Sequence, residues 1–129
     1  MSAGRAGILR YPAAALVLVV GLVHLQQYID FISEVETIGW LFLLNAAGGA
    51  GLAVALLWPD RSLSRLAAVG GLVLCIGSLV AIVLAMGGGI FGYQEPSWRG
   101  PVVLAVIAEV AALPALAGHL LLGRRAAPA

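Results

Sequence analysis

Four long runs of hydrophobic residues, separated by short polar segments, dominate the sequence. The runs cover residues 12–30, 38–58, 63–86 and 101–122. A helix needs about 20 apolar residues to cross a bilayer core of about 30 Å, so each run is long enough to form a transmembrane helix. The pattern predicts a single all-α domain over residues 1–129, an integral membrane bundle of four helices with up-down topology.

Residues typical of helix termini at a membrane surface mark the ends of these runs. Pro12 and Pro101 suit the first turn of a helix, where the missing N–H does no harm. Ser62 has the side chain of an N-cap for the third helix. Amphipathic rings favour the headgroup region, and six aromatic residues lie near the predicted ends: Tyr11, Tyr28, Trp40, Trp58, Tyr93 and Trp98.

The composition excludes several classes of protein. Of the 129 residues, 62% are hydrophobic and 10% are charged, and the mean hydropathy is +1.06. A soluble domain is about 45–50% apolar and about 25% charged, and disordered chains are more polar still. The single cysteine, Cys75, cannot form an intrachain disulfide, a CxxC motif or a zinc cage.

The arginines indicate how the helices are oriented. The chain has no lysine, and six of its seven arginines lie before run one, at the junction of runs two and three, and directly after run four, with only Arg99 elsewhere. With four spans these segments share one side, which the positive-inside rule makes cytoplasmic. We therefore expect a multi-pass protein of the inner (plasma) membrane with both termini in the cytoplasm. Because the arginines are spread along the sequence, apart from Arg124 and Arg125, a nucleic-acid footprint is not expected.

Small residues indicate where helices approach closely, because packing in lipid depends on backbones coming together. Run two contains Ala47 and Gly51 at a spacing of four residues, and run three contains Ala67 and Gly71 at the same spacing. These patterns predict that the second and third helices pack tightly together. One of the same faces could also support a homodimer or a larger membrane complex.

Apart from Asp30 and Arg65 at the ends of their runs, three acidic, basic or histidine residues lie within the runs: His24, Glu109 and His119. Such groups are costly in hydrocarbon and usually face the bundle interior. His119 lies near the inner end of run four, which favours a structural role. Glu109 lies closer to the bilayer centre, where desolvation disfavours the charged carboxyl unless it is paired.

A common depth links four polar residues, one from each run. At 1.5 Å of rise per residue, they lie about 4–5 Å outward of the middle of their runs. We expect His24 and Glu109 to meet in the outer half of the bundle, supported by Asn45 and Ser78, with access from the outer face beneath Tyr28 and Glu95. The pair could form a proton or cation site, or a structural clasp.

Three functions are compatible with this candidate buried polar site. The leading hypothesis is a non-enzymatic membrane subunit or binding protein, because the sequence has no nucleophile–base pair, no metal cluster and no cofactor motif. The first alternative is a small proton-coupled transporter that uses Glu109. The second is a haem- or quinone-linked membrane anchor, for which His24 would be the ligand. Apart from the lipid bilayer, the sequence identifies no partner, substrate or cofactor.

Several short motifs are distributed over most of the chain: GLVHL at 21–25, IGWLFLL at 38–44, FGYQE at 91–95, and Glu109. In these the chain resembles a group of small uncharacterised four-helix bacterial integral membrane proteins. The resemblance implies that His24, Glu95 and Glu109 are pattern positions, and it implies no activity.

Overall fold

The computed structural model describes residues 2–125, except for the side chains of residues 2, 3, 5, 6 and 125. Four helices make up almost all of this range: α1 (Ser2–Gln27), α2 (Glu36–Leu57), α3 (Arg61–Gly87) and α4 (Gly100–Arg125). α1 continues as one π-helical turn, Tyr28–Ile32. The predicted all-helical fold is confirmed, and all four helices are long and apolar enough to cross a membrane. Arg5 and Arg125, which entered the charge argument, have side chains outside the described set.

The helix boundaries differ from the prediction at two positions, Pro12 and Ser62. α1 runs through Pro12 instead of starting there. α3 starts at Arg61, and its N-cap is Asp60, whose Oδ1 accepts a hydrogen bond from the Leu63 N–H at 2.7 Å. The expected cap, Ser62, lies inside the helix. An aspartate is as good an N-cap as a serine, and Asp60 comes directly after Pro59, which favours a turn.

The four helices form a ring in which α1 and α3 lie diagonally opposite. α1 packs closely against α2 and α4, whereas α3 contacts the same two helices less extensively. The core consists of many alanines and a few larger side chains. Its fully buried members include Ala13, Val17, Val20, Leu56, Ala68, Cys75, Ala112 and Leu116. Large apolar residues on the outside of all four helices, such as Leu22, Leu44, Val83 and Ile107, are more than half exposed. A surface of this kind suits lipid better than water.

The bundle has two distinct ends. The terminal end contains the turn between α2 and α3, together with the start of α1 and the end of α4, since Gly7, Pro59 and Gly123 line one pocket there. The loop end, at the opposite end of the bundle, contains the π-helical turn and the 88–99 segment. Tyr93 and Glu95 of this segment line a cavity there together with Gln27 of α1.

The closest approach of two helix backbones is between α1 and α2, and not between α2 and α3 as the small-residue pattern predicted. A Cβ built on Gly49 would lie 2.9 Å from the Cα of Gly21 and 2.9 Å from the Val17 carbonyl oxygen. Gly71 of α3 faces the Leu116 side chain of α4, and a Cβ on Gly51 would meet nothing within 4 Å. The prediction was wrong because it used spacing alone, which does not determine the face that a glycine presents.

We expect Gly49→Leu to destabilise the protein, because its side chain would collide with the α1 backbone. Overpacking of this kind costs about 1–3 kcal/mol. Gly51→Leu is the matched control, since it makes the same change two residues away in open space. Thermal unfolding in detergent checks the difference. Equal melting temperatures for the two variants would contradict the close contact of α1 with α2.

Candidate functional site

A cavity of about 450 Å³ lies in the loop-end half of the bundle; we call it the central cavity. Its wall is mainly apolar, with side chains such as Phe42, Leu74, Ile82 and Val106 from three helices. Four polar side chains interrupt this wall, and we refer to them as the polar layer: His24 from α1, Asn45 from α2, Ser78 from α3 and Glu109 from α4. Binding sites for small molecules typically combine an apolar wall with a few polar groups in this way.

His24 is held in place by its own helix. Its Nδ1 lies 2.8 Å from the carbonyl oxygen of Val20, one turn earlier. Since a carbonyl only accepts hydrogen bonds, Nδ1 carries the proton, and in a neutral imidazole Nε2 is then the acceptor. The ring also packs on Phe42, with its centroid 4.8 Å away. This arrangement directs Nε2 towards the opposite helices.

Ser78 lies between His24 and Glu109. The Ser78 hydroxyl is 3.3 Å from Nε2 of His24, and it also lies beside the Glu109 carboxyl. The direct distance from Nε2 to Glu109 Oε1 is 4.0 Å, which is too long for a hydrogen bond but within ion-pair range. A serine hydroxyl both donates and accepts, so Ser78 can link the two groups whether the proton is on the carboxyl or on the imidazole.

Two buried oxygen atoms of the polar layer have no hydrogen-bond partner among the described residues. They are Oδ1 of Asn45 and Oε1 of Glu109, on residues that are 8% and 1% exposed. Leaving a buried acceptor unsatisfied costs about 1–3 kcal/mol. Both oxygens belong to residues that line the central cavity, so a hydrogen-bond donor bound there would remove this cost.

The structure thus places all four predicted site residues around one cavity. No hydrogen bond among the described residues joins Asn45 to the other three, and its part in the layer is to line the cavity wall. Glu95 also lines the cavity, whereas Tyr28 does not. Tyr28 packs instead beside Gly39 at the start of α2. Tyr28 therefore does not form part of the cavity wall, and access from the outer face beneath it remains a prediction.

A cluster of polar side chains covers the cavity at the loop end. Glu95 receives hydrogen bonds from Tyr93 at 2.6 Å and from two nitrogens of Arg99 at 2.9 and 3.0 Å. Arg99 also donates to Gln27 of α1 at 3.3 Å, and its guanidinium lies over the Phe31 ring, 4.2 Å from the centroid. We call Gln27, Tyr93, Glu95 and Arg99 the loop cluster. It connects the 88–99 segment to both parts of α1.

The glycine-rich part of this segment makes the cluster possible. Gly89 and Gly92 have φ angles of +106° and +77°, which glycine adopts without strain. They fold residues 90–93 into a turn closed by two hydrogen bonds between Ile90 and Tyr93, and the Glu95 N–H then donates to the Ala85 carbonyl at 3.0 Å. Glu95 is thereby held against α3 with its carboxyl buried.

The loop cluster carries one negative and one positive charge at neutral pH. Burial raises the pKa of the Glu95 carboxyl, but hydrogen bonds from Arg99 and Tyr93 outweigh it, so that the pKa lies below its usual range. Burial, together with the contact to Glu95, raises the pKa of Tyr93 to about 12. The phenol therefore stays neutral and donates to an ionised carboxylate, and the cluster as a whole is uncharged.

The central cavity reaches the side of the bundle between α2 and α3. Three of its lining residues, Leu41, Leu44 and Val73, are 41%, 65% and 68% exposed on the outer surface of these helices. The looser packing of α3 leaves this gap. A molecule dissolved in the surrounding apolar phase could enter here without passing the loop cluster.

The terminal half of the bundle is joined by a different set of hydrogen bonds. The Ser64 hydroxyl donates to the Leu56 carbonyl at 2.8 Å and lies 3.0 Å from Nε2 of His119. His119 is 8% exposed, so it is buried in the bundle, and its contact with Ser64 connects α4 to α3. The apolar side chains of Leu56 and Leu116 fill the centre of this half.

Sequence reasoning missed three contributors to the site. Phe42 was hidden among many apolar residues of its run. Gln27 could have been found from spacing, since it follows His24 by three residues on the same face of α1. The contact of Arg99 with Glu95 could not, because both residues lie in irregular backbone before α4. Arg99 was noted only as the single arginine outside the cytoplasmic segments.

The chain matches no protein-family model, no curated protein and no solved structure. The site is therefore interpreted from its own geometry.

We expect His24→Ala and Glu109→Gln to be non-additive, because both residues contact Ser78 and lie 4.0 Å apart. Coupling between residues in one network is about 0.5–3 kcal/mol. The free energy of unfolding of the single and double variants measures it. Ser64→Ala is the control partner for Glu109→Gln, since Ser64 and Ser78 are separated by about 21 Å along α3. Strict additivity of the first pair would place His24 and Glu109 in separate environments.

Proposed function

We propose that this chain is a small multi-pass protein of the plasma membrane that binds a lipophilic molecule in its central cavity. Binding, and not catalysis, is the proposed activity. The observation that carries the proposal is the pair of unsatisfied acceptors, Asn45 Oδ1 and Glu109 Oε1, in an otherwise apolar cavity. They favour a ligand whose polar head donates hydrogen bonds: an alcohol, a phenol or an amine.

The size and position of the cavity support a ligand of this class. Pockets for small organic molecules have volumes of about 300–1,000 Å³, and the central cavity has about 450 Å³. Its opening between α2 and α3 faces the lipid if the four helices span the bilayer. The apolar part of the ligand would contact Phe42 and Ile82, and its head would lie at the polar layer.

The two alternative functions differ in how well they agree with this geometry. A haem anchor would use Nε2 of His24, because Nδ1 is bonded to the Val20 carbonyl as in many metal-ligating histidines, but Nε2 faces the Ser78 hydroxyl at 3.3 Å. A quinol carries hydroxyl donors and belongs to the proposed ligand class. A proton-coupled transporter is favoured by the Glu109–Ser78–His24 arrangement, which suits a proton shared between carboxyl and imidazole, but it would also need a path past Leu56 and Leu116.

The orientation in the membrane follows from the arginines. Arg10, Arg61 and Arg65 line one pocket at the terminal end. Arg99, at the loop end, is paired with Glu95, so its charge is compensated. The positive-inside rule therefore favours a cytoplasmic terminal end and an outward-facing central cavity.

A matched pair of probes tests the proposed ligand class: 2-naphthol, which donates a hydrogen bond, and 2-methoxynaphthalene, which does not. We expect naphthol to bind about tenfold more tightly, equivalent to one hydrogen bond of about 1.4 kcal/mol. The measurement is binding to nanodiscs that contain the protein, corrected for empty nanodiscs. Equal binding of the two probes would contradict recognition by the polar layer.

A cavity-filling variant provides the control for location. Gly77 lines the cavity, and a Cβ added there meets nothing within 4 Å, so Gly77→Phe should occupy the space without disturbing the helix. Gly51→Phe makes the same change on an open face of α2. Loss of naphthol binding in the first variant alone supports the cavity, and loss in both or in neither contradicts it.

The orientation is tested by cysteine labelling in intact cells, in a Cys75→Ala background. Ser62→Cys and Ser97→Cys place single thiols on exposed positions at the two ends of the bundle. We expect a membrane-impermeant reagent to label position 97 and to reach position 62 only after permeabilisation. Labelling of position 62 alone in intact cells would reverse the orientation.

A further inference from the structure

Three arginines that lie apart in the sequence come together at the terminal end. Arg10 of α1, with Arg61 and Arg65 of α3, lines a second pocket of about 190 Å³, which we call the terminal pocket. Ser64 and His119, already bonded to each other, also line it. The spread of the arginines along the chain gave no sign of a local cluster of charge.

These charges have no compensating acid among the described residues. Among the described residues, the acid–base contacts within 4.0 Å are His24–Glu109 and Glu95–Arg99, and both lie in the loop-end half of the bundle. Asp60 is next to Arg61 in sequence, but its Oδ1 caps α3 and its side chain does not line the pocket. The lining of the terminal pocket therefore contains three arginines and no acidic residue.

Arg10 provides the observation that points to a ligand. One of its terminal nitrogens donates to the Tyr11 hydroxyl at 3.2 Å, and its guanidinium lies over the Tyr11 ring at 5.1 Å. Its Nε, however, is buried and has no hydrogen-bond partner among the residues that the structure describes. A guanidinium presents donors in a fork that matches two oxygens of a phosphate, so an anion seated beside Arg10 would satisfy this atom.

The surroundings place the pocket at the level of lipid headgroups. Trp58 lines it and is 53% exposed, and Tyr11 is 56% exposed beside Arg10. Aromatic residues of this kind mark the membrane–water interface, and basic pockets between helices on the cytoplasmic side bind anionic headgroups. A volume of 190 Å³ equals that of about six waters at ~30 Å³ each, enough for a phosphate group but not for acyl chains.

We propose that the terminal pocket binds the phosphate group of an anionic phospholipid, held by Arg10, Arg61 and Arg65. The acyl chains lie outside the pocket along the apolar surface of the bundle. This inference rests on the proposed membrane location and is independent of the ligand proposed for the central cavity.

Thermal unfolding in neutral detergent micelles tests the proposal with three probes: dioleoylphosphatidylglycerol, dioleoylphosphatidylcholine, and sodium phosphate at constant ionic strength. We expect a saturable rise in melting temperature with phosphatidylglycerol only. An equal rise with sodium phosphate would overturn the lipid as the source of the phosphate. The absence of a saturable rise with any probe would overturn the site itself.

Variants locate the effect. The double variant Arg10→Gln, Arg65→Gln should raise the half-saturating phosphatidylglycerol concentration at least a hundredfold, or about tenfold per arginine, because each change removes charge-assisted hydrogen bonds to the phosphate. Arg124→Gln removes the same charge from an exposed position of α4 outside the pocket. Diffuse attraction to an anionic surface limits its effect to about fivefold. If the half-saturating concentration changes by the same factor per arginine in the pocket variant and in Arg124→Gln, general surface charge explains the binding and the pocket proposal is overturned.

Two further measurements keep the outcomes separate. If the double variant does not fold, Arg61→Gln replaces it, because Arg61 is exposed and forms no described hydrogen bond through its side chain. Gly77→Phe should retain the full response to phosphatidylglycerol, since it alters only the central cavity. Loss of the response in Gly77→Phe would contradict the independence of the two sites.

Discussion

A polar group inside an apolar bundle must find its hydrogen-bond partner within the protein, and this constraint determines most of the internal structure. His24 bonds to the carbonyl of its own helix, Ser64 bonds to Leu56 and His119, and Glu95 takes hydrogen bonds from Tyr93 and Arg99. Where no water is available, a polar group without such a partner costs several kcal/mol of stability. In the central cavity one oxygen of Asn45 and one of Glu109 have no partner among the described residues, and for that reason these two residues define the candidate site.

The unequal packing of the helices explains why the exceptions share a cavity. Gly21 and Gly49 bring the backbones of α1 and α2 together, and α1 also packs closely on α4. α3 is held at a greater distance, because side chains such as Leu52 and Leu116 lie between it and its neighbours. In the terminal half these leucines fill the space. In the loop-end half α3 carries Gly77, Ser78 and Ala81, which are too small to do so.

The sequence predicted the number of helices and the depth of the polar residues, because both depend on spacing along one chain direction. A run of 20 apolar residues has one stable form in a membrane, and residues at equal depth on neighbouring helices meet. It did not predict which faces pack together, so the closest helix contact of α2 was assigned to α3 instead of α1, and Tyr28 was expected beside a cavity that it does not line. The three arginines of the terminal pocket were missed for the same reason, since their proximity depends on how α1 and α3 are rotated about their own axes.

The lateral opening of the central cavity determines which ligand concentration controls its occupancy. A molecule that enters between α2 and α3 is drawn from the bilayer, so occupancy depends on its mole fraction among the lipids and not on its concentration in water. Each added CH₂ contributes about 0.8 kcal/mol to transfer from water, which raises the membrane concentration about fourfold. In a homologous series of ligands, apparent affinity measured against the aqueous concentration would therefore rise steeply with chain length even if every member fitted the cavity equally well. Diluting the protein with additional lipid or detergent would lower occupancy at a fixed total amount of ligand.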